Sequence, residues 1–161
     1  MPLTPYHLGP ALFFGLLFFS FIHLPTFLIA NVIIDLEPFL VLLFGLDYPL
    51  HGFFHLFFGG SIVAIILSML MVRFDKHTRR IMSFFRLEQR YSEKSIWLAS
   101  FSGIYLHIML DSPLYVDIKP IFPFMSNPFY GMFSAFEIYN FCLLSFLFGI
   151  CIYIYKLWKQ K

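Results

Sequence analysis

TFLIANVIIDLEPFLVLLFGL, residues 26–46, decides the fold. It is long and apolar enough for one helix to cross a hydrocarbon core about 30 Å thick. Yet it carries Asp35, Glu37 and Pro38 in its middle, where a charge costs about 2.5–3.5 kcal/mol on insertion scales. Pro38 removes a backbone donor and pushes Glu37 away from helical geometry. Positions two apart on a regular helix also point about 200° from one another. The sequence therefore predicts a span broken near Asp35–Pro38, its irregular backbone buried in protein or lining a wet cavity.

The rest of the chain has the same character. Of 161 residues 60% are hydrophobic and 12% charged, too little polar surface to cover a soluble core of this size. Further apolar stretches run over about 8–24, 52–72, 95–112 and 134–158. The expectation is an all-α polytopic membrane protein, a bundle of about five transmembrane helices forming a single membrane domain over 1–161. The first stretch lacks a basic lead and a small-residue cleavage site, so it reads as a span rather than a signal peptide. Seven of the eleven Lys and Arg residues fall in 73–94, and three more, Lys156, Lys159 and Lys161, close the chain. The positive-inside rule places both segments in the cytoplasm. The N-terminus, the 47–51 turn and the 113–131 loop then face outwards. The basic loop suits anionic lipid headgroups, and no nucleic-acid partner is expected. Cys142 and Cys151 are nine positions apart in the last span and form no metal or disulfide motif.

This topology gathers ionisable residues on one side. His7 lies at the outer end of the first span, His51 and His55 at that of the third, His107 and Asp111 at that of the fourth. Glu137 opens the fifth, and Asp35 and Glu37 lie deeper in the second. Taken singly, each has a plain structural reading. His107 and Asp111, like His51 and His55, are i and i+4 and share a helix face, as hydrogen-bonded pairs often do. Asp111 ends its helix, where the dipole disfavours a carboxylate unless a cation lies beside it. Histidine and carboxylate ligands without thiolates suit zinc, with manganese or iron as alternatives. Lys119 in the outer loop is a candidate for attracting an anionic headgroup. There is no GxSxG, P-loop, HExxH or dinucleotide fingerprint.

Met-Pro-Leu-Thr-Pro-Tyr-His7-Leu-Gly-Pro, Asp35-Leu-Glu37-Pro, His51-Gly-Phe-Phe-His55 and His107-x-x-x-Asp111-Ser-Pro-Leu-Tyr occur in that order. Together they resemble the YdjM-like family of membrane-bound metal-dependent hydrolases, itself similar to zinc-dependent phospholipase C and related single-strand nucleases. Those enzymes use a carboxylate, a histidine some fourteen residues on, and an HxxxD pair. Glu37 and His51 have that spacing, and Asp35 to His51 is two longer. No histidine follows Asp111, so one or two metals are expected rather than three. The resemblance implies a prokaryotic plasma membrane and hydrolysis of a phosphoester or other ester, lipids included. His107, Asp111, His51 and Asp35 would hold a divalent metal. His7 and His55 would support them or hold a second metal, and Glu37 and Glu137 are the catalytic candidates. Two other readings use the same residues: a divalent-cation or proton transporter, and a structural or partner-binding membrane protein. Oligomeric state stays open.

Overall fold

The computed structural model describes residues 4–160. In chain order the helices are α1 (Leu8–Leu17), α2 (Leu24–Ile33), α3 (Leu36–Phe44), α4 (Phe57–Arg73), α5 (Asp75–Phe84), α6 (Glu93–Asp111) and α7 (Ala135–Trp158). Short 3-10 turns at Thr4–His7 and Phe53–His55 precede α1 and α4. No strand occurs among the described residues.

The break in the second apolar stretch falls at Ile34–Asp35. Pro38 has no N–H for the Ile34 carbonyl, which accepts instead from the Glu37 N–H at 3.1 Å; the Asp35 N–H likewise reaches Val32 at 3.1 Å. These tighter bonds offset α3 from α2 without ending the span, and Leu24–Phe44 remains a candidate crossing of 21 residues. Gly45, with φ +59, closes α3 in the left-handed region.

By length and composition two segments can cross a membrane, Leu24–Phe44 and α7, or three if α4 and α5, bent by 76°, count as one span. That is fewer than five. The first expected span stops early: α1 has 10 residues, about 15 Å at 1.5 Å per residue. Residues 18–22 are mostly apolar, but Gln89 holds them in a turn, donating to the Phe19 and Ile22 carbonyls and accepting from the Leu24 N–H. α4, at 17 residues, begins late because 52–55 are used elsewhere. α6 is diluted by Glu93, Lys94, His107, Asp111 and several serines.

α6 is the axle. Its buried positions Ile96, Ala99, Ser100, Gly103, Ile104, His107, Ile108 and Asp111 recur at helical spacing, and both α2 and α4 pack along it. α1 packs on α7 through small residues. A Cβ on Gly9 would stand 2.2 Å from the Cys142 carbonyl oxygen, and one on Gly149 3.1 Å from the Phe13 nitrogen. Because the Gly9 obstacle is backbone, Gly9→Ala must part the two helices. A loss of about 1–3 kcal/mol is expected, read as a lower melting temperature in detergent; an unchanged melt would refute the close approach. The outward side of α7 presents Phe136, Leu143, Leu147, Phe148 and Ile154, all more than half exposed, as a lipid-facing surface would.

α5 turns away with its basic residues outward. Asp75 pairs with Arg79 at 2.9 Å and accepts from the Tyr91 hydroxyl. Burial and that hydrogen bond push the Tyr91 phenol above its ordinary range. The 113–131 connection folds back over the other end of the bundle. Pro120 accepts from the Phe57 N–H at 3.0 Å, Asn127 bonds the Ser112 and Tyr115 carbonyls, and Ile118 is fully buried.

Candidate metal centre

Glu37 organises the site. Its carboxylate accepts from the backbone N–H groups of Gly52 (3.0 Å) and Phe54 (3.1 Å), from His55 Nδ1 (2.9 Å) and, more loosely, from the Tyr48 hydroxyl (3.4 Å). The 51–55 segment is wrapped around this carboxylate instead of opening α4, so His51 and His55 do not share a regular helix face. With both oxygens engaged, Glu37 acts through His55 and not on a metal directly. The carboxylate fixes the His55 proton on Nδ1 and turns Nε2 inwards.

His107 is oriented in the same manner from another side. Its Nδ1 lies 2.7 Å from the Asn31 carbonyl, which can only accept, so the proton is on Nδ1 and Nε2 faces the centre. That Nε2 lies 3.4 Å from Asp35 Oδ1 and 3.3 Å from Asp111 Oδ2. His7 stacks on His107 with ring centroids 3.9 Å apart, its Nε2 3.2 Å from Asp111 Oδ1. These separations suit ion pairs, but the angles make no hydrogen bond at several of the atoms. His7 Nε2, His55 Nε2, His107 Nε2, Asp35 Oδ2 and Asp111 Oδ1 are buried without a partner. Unpaired lone pairs beside two carboxylates repel, and each buried orphan costs about 1–3 kcal/mol. A cation removes both penalties.

Asp35, His55, His107 and Asp111 each offer one ligand atom, all within 4.8 Å of one another. Four ligands 2.0–2.2 Å from a tetrahedral ion lie about 3.3–3.6 Å from one another, so the widest separation must close by about 1 Å for all four to hold one ion. This group could hold a metal ion. No protein-family model, curated protein or solved structure matches the chain.

Four of the residues singled out from sequence thus meet in one group, with His7 against it. His51 lies outside. Its Nδ1 is taken by Asp117 at 3.0 Å, and its ring packs edge-on to His55 (4.8 Å between centroids) and against Tyr115 (4.2 Å). Glu137 also stands apart, at the exposed start of α7, where it closes a reciprocal cap with Ser134. Lys119 is exposed in the 113–131 connection, two residues from the Asp117 that reaches His51. Sequence reasoning gave no role to Asp117, which a long loop delivers. It also missed the Asn31 carbonyl, although Asn31 lies one turn before Asp35.

Towards the basic end, polar side chains on α2 are few. His23, Thr26 and Asn31 are fully buried on α2, but between Thr26 and Asn31 the helix meets α6 at Ala30 and Gly103. A Cβ on Gly103 would stand 2.6 Å from that of Ala30, so α2 and α6 are in close contact there.

Proposed function

We propose that this chain is a membrane-embedded metal-dependent hydrolase acting on a phosphoester or related ester. The observation that carries the reading is the convergence of unpartnered ligand atoms from Asp35, His55, His107 and Asp111. The step from metal site to hydrolase is supported by the resemblance to the YdjM-like family. Two imidazoles and two carboxylates suit zinc best, with manganese or iron as alternatives. A divalent ion held there supplies Lewis acidity and brings the pKa of water to about 7.

The chain's own groups divide the remaining work. Glu37 and the Asn31 carbonyl keep the two imidazoles in the ligand tautomer. His51, held at Nδ1 by Asp117 and packed edge-on to His55, would be the neighbouring imidazole able to exchange a proton with water or the leaving group. For topology, we propose that α4 and α6 cross alongside Leu24–Phe44 and α7, while α1 rises from the basic side only as far as the site. The outer end of the bundle then carries the centre, and the 73–94 loop and C-terminus lie in the cytoplasm.

The test is elemental analysis of purified, chelator-rinsed and zinc-reloaded protein beside His107→Ala, with bis(p-nitrophenyl) phosphate as the hydrolysis probe. Near-stoichiometric metal and hydrolysis are expected, both falling to background in the variant while its helical content is kept. A wild type that takes up no metal would overturn the reading.

A further inference from the structure

The candidate centre is closed on nearly every side. His55 and His107 are fully buried and Asp111 is 1% exposed; of the four ligands Asp35 alone retains appreciable exposure, 14% of its side chain. That exposure opens into a groove of about 600 Å³ lined by Leu8, Leu28, Ile29, Val32, Ile33, Leu36 and Phe39, with Asp35 its one ionisable residue. The volume falls within the range of about 300–1,000 Å³ typical of ligand pockets. Most of the walls belong to Leu24–Phe44, a segment apolar enough to cross a membrane, and the rim residues Ile29, Leu36 and Phe39 are exposed. The groove therefore opens sideways, towards hydrocarbon.

We propose that this groove seats one aliphatic chain of a membrane lipid, whose phosphate-bearing head is thereby brought to Asp35 and the metal centre. The substrate class follows: an amphiphile delivered laterally from the bilayer rather than a water-soluble ester. The inference rests on the metal-centre reading, because only a cation makes the Asp35 end receptive to phosphate. A helix from a second copy or another protein fits less well. A helix is about 10–12 Å across with its side chains, and seating one would bury the Asp35 carboxylate against an apolar face with no exchange for its lost hydration. A flexible chain fills the apolar walls and leaves the Asp35 end for its head.

The experiment uses the full chain, zinc-loaded, in phosphatidylcholine vesicles with hexadecyl phosphate carrying a mid-chain diazirine. After irradiation, adducts are mapped by mass spectrometry. Labelling of Ile29, Val32 and Leu36 is expected to exceed that of the lipid-facing Leu143 and Leu147 about tenfold, one decade of binding preference. Ile29→Trp, which fills the groove about 9 Å along the chain axis from Asp35, should erase the excess at Val32 and Leu36 while metal content stays at the wild-type level. Hexadecane bearing the same diazirine should show a smaller excess, since it has no head to anchor. Even labelling of groove and α7 in metal-loaded protein would overturn the proposal. So would efficient disulfide capture between two Ile29→Cys copies in place of probe labelling. Failure of the metal-centre reading is seen separately, as a wild type without metal in elemental analysis.

Discussion

Asp111→Asn should lower zinc affinity by more than about 100-fold while leaving the helices in place. Residues that merely orient a ligand cost about 10–100-fold when removed, and Asp111 stands closer to the centre than that. It is 1% exposed and lies 3.3 Å from His107 and 3.2 Å from His7, so its charge is little screened by water. Asparagine keeps the volume, and with it the packing at the end of α6, but withdraws the anionic oxygen. The substitution also ends an unfavourable placement, a carboxylate at a helix C-terminus. The metal-free variant should nevertheless be less stable than metal-free wild type, because Asp111 stands at ion-pair distance from buried His7 and His107. Competition with a chromogenic zinc chelator, paired with melting curves of both metal-free proteins, measures the two effects independently. Unchanged affinity would remove Asp111 from the ligand set.

Glu37→Ala should have the largest effect on stability of any single change in the site, about 3 kcal/mol or more. The carboxylate accepts from two backbone N–H groups, the His55 ring and the Tyr48 hydroxyl. Its loss orphans donors that are partly or fully buried, and each costs about 1–3 kcal/mol. The loss should be local before it is global, because α6 and α2 pack without help from Glu37. Amide hydrogen exchange at Gly52 and Phe54 should accelerate strongly, with exchange in the middle of α6 unchanged. Zinc affinity should fall too, since His55 is free to turn. Protection that persisted at Gly52 and Phe54 would show that other contacts hold the segment.

How far the sequence could be read differed by element. α6 was legible because its buried positions keep one helical stripe from Ile96 to Asp111, so His107 and Asp111 faced the core together. The break was legible in place because proline chemistry is local, but not in form: Asp35 keeps right-handed helical dihedrals and Glu37 lies inside α3, not in the extended backbone expected before Pro38. The span count was not. Residues 18–22 are as apolar as the helix before them, and what turns the chain there is Gln89, some seventy positions away. His51 and His55 misled for a related reason. Their spacing is helical, but Glu37 offers the 52–54 backbone an alternative set of hydrogen bonds, and tertiary contacts outweigh the local period. Asp117 belongs to a loop whose path is set by Pro120, Asn127 and Ile118, none of which has a readable periodicity.

The break at Ile34–Asp35 has a structural consequence. On a straight helix Asp35 and Glu37 would serve opposite sides; here one carboxylate faces the centre and the other braces the histidine that faces it. Asp35 sits in the break itself and Glu37 on the first turn of α3. A change in the tilt of α3 relative to α2 would swing Glu37, and with it the brace on His55, against Asp35 at the joint. One short joint between α2 and α3 therefore sets how the carboxylate that faces His107 and the carboxylate that braces His55 stand relative to one another.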